Sequence, residues 1–593
     1  MNIKNKISFF SLLVLAIISM VSCSKDIDEF LDKPPGTDVT EDTVFSTKKN
    51  IESFLFGTYA YGIHSYYPYF DLNGGVNANP AMCMIAPMTD EAEMSANYYV
   101  SQDWNTGSIR KNDIKNQEDA RFDMRWQAIR RCNILIERLP EATVLTEEEK
   151  KHYAGEALFI RALNNFEMFK RYGTMPIVDH RMQITDEMKI PRATLKDFID
   201  FILKDCNDAA EDLKGVSYPS GSRGRITRTA ALALKSRLLL YAASPLFNRE
   251  SPILSYDHPE LVCYGNYDAN RWKLAADAAQ EALLSCQEEG FIIVDSDTPE
   301  EDYRTMWESY DNSEIILAEK FTGSHGSWDS PWEMILPAGL GMYGWNGVNV
   351  PQNFIYKYSK KDGTKMEWNT PGIEGDDLMQ KYAQLEPRFR QTIAYNGSRW
   401  NGDYGDMQLY EGASGNSPRA TYNITGYFMH KLIPYSLDNG AHYLMHSNAM
   451  LFRVGELYLN LAEALNEYEA SPSQQVYDAV GVIRDRAGLP NLPAGLSKEE
   501  MRDRIKNERD VELCFEDHRF WDIRRWLDAE KDGVMRGTFY KMHIIRKSGS
   551  GLNQKCNYII EPYETRTFTK KMYLHPIPEN EVNKGYLFQN PGW

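Results

Sequence analysis

Residues 508–526, ERDVELCFEDHRFWDIRRW, crowd carboxylates, arginines, a histidine and large aromatics into nineteen positions. Read as one helix, Glu508, Glu512 and Glu516 recur every four residues, and Arg519 and Asp522 continue the stripe. Two chemistries fit such a stripe. Glycoside hydrolysis needs two carboxylates about 5–9.5 Å apart, which helical spacing can supply. The other is a structural ion network. Like charges at this spacing repel by roughly 0.2–0.5 kcal/mol per pair unless cations face them, and Arg484, Arg486, Arg519, Arg524 and Arg525 could do so. Hydrolase acids flank an open cleft, whereas these lie among Val511, Phe515, Phe520, Trp521 and Trp526, which call for burial. The stretch therefore reads as a keystone of the scaffold, with a surface glycosidase as the rival.

Other catalytic signatures are missing. The chain has no G-x-S-x-G, no P-loop and no H-E-x-x-H, and GSRGR (221–225) lacks both a preceding strand and a G-K-[ST]. Hard oxygens cluster in DSDTPEED (295–302) and NGDYGD (401–406), but neither has the twelve-residue spacing of an EF-hand loop. No cofactor is expected, a structural calcium in one of these loops being the minor alternative. Beyond Cys23, seven cysteines are scattered with no C-x-x-C, which suits small buried apolar residues better than a disulfide framework.

Binding chemistry is richer. Sugars are held by flat aromatic faces, with amide, carboxylate and guanidinium groups bonding the hydroxyls, converging on a mostly preformed surface. The segment 64–118 offers Asp71, Asn73, Asp90, Tyr98 and Trp104; GSWDSPWEMILPAGLGMYGWNG (326–347) offers Trp328, Trp332, Tyr343 and Trp345. Arg399 and Tyr427 flank a third Gly/Asn-rich stretch, and the planar fork of Arg399 can bridge two neighbouring hydroxyls. Each aromatic taken singly is as well suited to a core; their setting in Gly/Asn/Ser-rich stretches favours ligand contact. Asp90 equally suits a helix cap.

The elements that must position these residues are amphipathic helices. Apolar residues at three- and four-residue spacing mark 50–65 with 121–139, 148–173 with 195–213, 227–244 with 270–286, and 452–469 with 474–488. Small residues among the large ones permit close approach, as in stacked tetratricopeptide-like pairs. The expected fold is mainly α: a scaffold of about four helical pairs over 50–290 and 450–530. Long, loop-rich insertions with short strands, at 64–118 and 290–447, would form the ligand-binding face.

The N-terminus has two lysines, an apolar run over 7–22 and then Cys23. That run is short for a membrane span and has the layout of a signal peptide. Ser22–Cys23 resembles a lipobox, so 1–22 reads as the signal peptide, Cys23 as the lipidated residue and 23–48 as a polar tether, leaving 49–593 as one domain. A formal charge of −18 and the lack of a basic, aromatic-interleaved run argue against nucleic acid.

In chain order, NVPQNFIYKYSKKDGT (349–364), LEPRFRQTIAYNGSRW (385–400), GYFMHKL (426–432), LFRVGELYLNLAEALNEY (451–468), GVIRDRAGLP (481–490), the 508–526 stretch and LHPIPENEVNKGYLFQNPGW (574–593) resemble the SusD/RagB family of nutrient-binding surface lipoproteins. Gly455 and Glu386 depart from the family's more usual Ala and Asp. The resemblance implies a non-catalytic, outer-membrane, lipid-anchored and surface-exposed protein. It would capture oligosaccharides for a SusC-type TonB-dependent transporter; a peptide-binding, RagB-like role is the alternative.

Overall fold

The computed structural model describes residues 40–64, 84–94, 100–218, 224–321, 347–401, 405–413, 423–436 and 447–593. All four expected helical pairs are present: α1 (Lys48–Gly62) with α2 (Phe122–Arg138), α3 (Glu147–Tyr172) with α4 (Leu195–Asp212), α5 (Arg228–Ala243) with α6 (Asn270–Glu289), and α7 (Val454–Tyr468) with α8 (Gln474–Arg486). Each helix also packs on the next in sequence, so the pairs form one continuous stack.

Local chemistry sets the ends. A reciprocal capping box of Thr146 and Glu149 opens α3, and Gly173, at φ 80°, follows its last turn. Helix α4 buries Leu195, Phe198, Ile199, Ile202, Cys206 and Ala209 on one stripe, whereas α5 is buried almost all round. Small residues matter where the helices cross. A Cβ on Gly155 of α3 would lie 2.8 Å from Leu213 Cγ and 3.3 Å from the Ala209 carbonyl at the end of α4. The six described cysteines are free and buried. No helix among the described residues is long and apolar enough to cross a membrane.

The region 290–447 supplies short strands, as expected. An antiparallel four-stranded sheet runs in the order β1 (Glu93–Met94), β3 (Val348–Asn349), β7 (Tyr427–Met429), β4 (Ile393–Tyr395). Strand β2 (Ile315–Phe321) pairs with β8 (Ser447–Arg453), and β5 (Arg399–Asn401) with β6 (Gly405–Asp406). One element went unanticipated: a long hairpin of β9 (Gly537–Ser548) and β10 (Lys555–Arg566), shifted in register beside Pro562.

Two expectations need correction. Several described stretches of both insertions are core: Met84–Met94 is buried throughout, as are Val348–Val350, Arg388–Phe389 and Tyr427–Ile433, whereas 290–301 and 361–377 hold no buried residue. The stretch 508–526 is two helices rather than one. Helix α9 (Lys498–Glu512) stops at Glu512, and α10 (Arg519–Arg525) starts after a tight turn in which Phe515 and Asp517 have φ of 62° and 66°.

Candidate functional site

The carboxylates that suggested catalysis are taken up by cations. Glu512 is fully buried, lies 2.8 Å from Arg453 and 3.0 Å from Arg388, and is bonded by Arg486. Burial alone would raise its pKa, but Arg486, Arg453 and Arg388 outweigh it and hold the carboxyl well below the usual range. Glu508 receives Arg388 at 2.7 Å and Arg484 at 2.9 Å; Glu516 receives Lys431 at 2.5 Å and Arg453 at 2.7 Å. Arg388 also reaches Glu386 at 2.6 Å, and Arg453 and Arg486 reach Glu314 at 2.8 and 3.3 Å.

Five cations (Arg388, Lys431, Arg453, Arg484, Arg486) thus meet five carboxylates (Glu314, Glu386, Glu508, Glu512, Glu516) in one buried, charge-balanced cluster. It joins the residue before β2, the end of β8, and helices α8 and α9. Arg484 and Arg486 were foreseen as partners. Arg388 and Arg453 were not, although both stand in stretches singled out above, in EPRF and LFRVGE. Arg519, Arg524 and Arg525 serve elsewhere: Arg519 bonds Asp90 and Asp510, Arg525 bonds Asp522 and Glu463, and Arg524 donates to the Tyr573 carbonyl.

The candidate ligand residues divide sharply. Asp71, Asn73, Tyr98, Trp328, Trp332, Tyr343 and Trp345, with Cys23, lie outside the described residues. Three others belong to the core, contrary to expectation. Both oxygens of Asp90 accept from Arg519, at 2.8 Å each. Trp104 is 1% exposed, donates from Nε1 to the Gln117 carbonyl at 3.2 Å and meets Phe520 edge-on at 5.1 Å. Tyr427 is fully buried, its hydroxyl between Tyr382 at 3.0 Å and Gln352 at 2.9 Å. Trp104 and Tyr427 each satisfy a polar tip inside the protein, which removes the obstacle to burying them. Arg399 is on the surface, its side chain 57% exposed, with Asp406 3.5 Å away and its carbonyl accepting from Tyr435. In the 295–302 loop, Asp302 accepts from the backbone of Ser296 and Thr298, so this carboxylate is occupied with the turn. Among the described residues no group of three or more His, Cys, Asp or Glu is placed to hold a metal ion.

The scaffold nevertheless gathers the roots of the candidate stretches. His64, just before 65–83, lies 3.4 Å from Glu319 on β2. Phe321, just before 322–346, pairs with Ser447, just after 437–446. The described residues that precede 65–83 and 322–346 and follow 437–446 therefore lie at one corner, built on the β2–β8 ribbon. Ala318 and Lys320 of β2 wall an open groove of about 960 Å³, together with Tyr218, Arg225, Tyr310 and Asn312. Arg225 is bidentate to Glu156, and Lys320 Nζ is 4.0 Å from the centre of the Tyr310 ring. A smaller cavity of about 60 Å³ lies between His64, Met84 and the 515–518 turn. It contains Lys170, which sits 2.9 Å from Glu167 and 3.6 Å from Asp517. Burial pushes the Asp517 carboxyl up to about 7 despite that lysine.

Comparison with known proteins matches this architecture. A family model described as "SusD family" matches residues 307–593, and a second, "Starch-binding associating with outer membrane", matches 29–240. A SusD-like protein of Formosa agariphila is 23% identical over 423 residues, covering 69% of this chain and 72% of its own. A crystal structure of a SusD-like protein from Bacteroides fragilis superposes with a TM-score of 0.75 at 26% identity, covering 95% of this chain and all of its own. A laminarin-binding SusD-like protein shares the fold, with a TM-score of 0.57 at 19% identity over 92% of this chain and all of its own.

Proposed function

The chain belongs to the SusD/RagB family, and on that premise we propose that it is a non-catalytic, lipid-anchored protein of the outer-membrane surface. It captures oligosaccharides and passes them to a SusC-type TonB-dependent transporter. The observation that carries the binding role is the corner at β2 and β8, where the chain segments flanking 65–83, 322–346 and 437–446 meet. Six of the candidate contacts (Asp71, Asn73, Trp328, Trp332, Tyr343, Trp345) lie on two of those segments. That a structural relative binds laminarin supports a glycan over other nutrients. A non-catalytic role agrees with the fate of Glu508, Glu512 and Glu516, whose oxygens face cations inside the protein rather than an open cleft. The N-terminal run ending at Cys23 supplies the anchor.

The test is direct. The full chain, purified in detergent, is run through affinity gels containing laminarin, starch, xylan and other polysaccharides, beside a Trp328→Ala/Trp345→Ala variant. Retardation by at least one glycan, lost in the variant at unchanged melting temperature, is expected. Failure to bind any glycan, or the appearance of new reducing ends on incubation, overturns the reading. Cys23→Ser should release the protein from the membrane fraction.

A further inference from the structure

The cavity of about 60 Å³ beneath the corner gathers backbone strain. Leu432, Phe515 and Asp517 all line it, with φ of 71°, 62° and 66°; they are three of the five non-glycine residues with left-handed backbone among the described residues. Such conformations persist only where the surroundings impose them, and they concentrate at ligand sites. Here the surroundings can be named. Glu91 accepts the Phe515 N–H at 2.6 Å, Lys431 donates to the Cys514 carbonyl at 2.8 Å, and Arg453 and Lys431 hold Glu516.

This turn places Asp517 on the cavity wall with one carboxylate oxygen unpartnered. Its Oδ1 is shut off from solvent without a hydrogen-bond partner, and Oδ2 is 3.6 Å from Lys170 Nζ, beyond bonding distance. The Asp517 side chain is 20% exposed overall, but the enclosed Oδ1 loses solvation that nothing in the described residues replaces. The wall carries charges of both signs: Lys170 and Glu167 pair with each other, Arg237 with Glu456, and Glu516 with Lys431 and Arg453. A neutral donor supplies the hydrogen bond missing at Asp517 without adding a charge among these pairs. Space adds a further limit, since the volume is above the ~10–15 Å³ that a cavity needs to hold one water and well below the ~150 Å³ of a cavity that holds benzene. A group of two heavy atoms fits; a sugar ring does not.

We infer that this cavity is a subsite that takes a hydroxymethyl group of the bound sugar, with the Asp517 carboxylate as its acceptor. The inference rests on the glycan-binding reading for its ligand, and its test separates the two. Cellohexaose and xylohexaose share a β-1,4 backbone and differ in the hydroxymethyl group. Calorimetry on the full chain at about pH 8.5, where Asp517 is ionised, should show an approximately tenfold preference for cellohexaose, the order expected for one hydrogen bond to a charged group. Asp517→Gly keeps the left-handed backbone without strain and removes the acceptor; Asp517→Asn tolerates that backbone and keeps one acceptor oxygen. The preference should fall below about twofold in the glycine variant and survive in part in the asparagine variant. Equal binding of the two sugars by the native chain, or an undiminished preference in Asp517→Gly, overturns the assignment.

A second arm needs no oligosaccharide. Crystals of the full chain are soaked separately in 1,2-ethanediol, acetate and methylammonium. The diol on Asp517, with neither ion bound there, supports the subsite even where no hexasaccharide binds. Water alone in every soak, or an ion in place of the diol, overturns it even where a glycan is found.

Discussion

Replacing Glu512 by Gln tests whether the ion cluster holds the scaffold together. The side chain keeps its size but loses its charge, leaving Arg388, Arg453 and Arg486 around a neutral amide. The cluster then has five cations and four anions, with one positive charge uncompensated where no member's side chain is more than 7% exposed. Removing one partner of a buried pair typically costs about 3–5 kcal/mol, and the amide NH₂ adds a donor where three guanidinium groups already donate. We expect a loss in that range at pH 7, read from urea unfolding followed by tryptophan fluorescence, with native secondary structure in the folded variant. The deficit should depend on pH. The folded pKa of Glu512 is depressed below the ~4.3 of an unfolded glutamate. Its contribution is therefore complete above that value and is lost as pH falls toward the folded pKa. Native and variant stabilities should converge in acid. A difference below about 1 kcal/mol at pH 7, or one that does not shrink in acid, would refute the reasoning. An Arg486→Met change made on top of Glu512→Gln should recover part of the loss, since the two sites are coupled.

Trp104→Ala should destabilise the protein by about 3–5 kcal/mol, as large-to-small changes of buried aromatics do, while leaving the glycan affinity of the folded fraction unchanged in affinity gels. Arg399→Ala should do the reverse: a melting temperature within error of native, because the side chain is mostly solvated, and roughly tenfold weaker binding by calorimetry. Glu91 is pushed up to about 8, chiefly by burial. It stays protonated in the fold at pH values where the unfolded chain has ionised, so it costs stability as pH rises from about 4 to 8. Glu91→Gln should flatten that decline in urea midpoints measured across the range.

The helical stack was legible because amphipathic periodicity reports burial directly; the pairs at 148–173 with 195–213 and 227–244 with 270–286 lie within a few residues of their predicted ends. Periodicity also carried the keystone too far. A four-residue stripe ran on from Glu508 to Glu516, but composition does not encode the left-handed backbone of Phe515 and Asp517, which the surrounding contacts impose on non-glycine residues. Arg388 and Arg453 were hidden for a related reason. They stand 124 and 59 positions from Glu512, and no local pattern marks a pair at such separations. Trp104 and Tyr427 show the limit of reading aromatics from loop-like surroundings, because a single internal acceptor such as the Gln117 carbonyl turns a surface candidate into a core residue.

The same contacts explain why an insertion suited to ligand contact carries so many buried acids. Asp90 is fixed by Arg519, Glu91 by the Phe515 N–H, and Glu93 by Arg566, which also donates to the Thr89 and Ala92 carbonyls. Three neighbouring residues thus fasten one short segment to α10, to the strained turn and to β10. Burying such polar groups brings little net stability, since an apolar replacement of equal volume often does as well. Their directional bonds fix geometry instead, setting where the chain leaves the scaffold on its way to 95–99 and, through 84, to 65–83. A binding surface whose roots are held in this way needs less ordering when a ligand arrives, and lost freedom is a main cost of association. The ionic residues that first looked catalytic therefore bear on binding indirectly, by holding the roots of the insertion and shaping the Asp517 turn beside it.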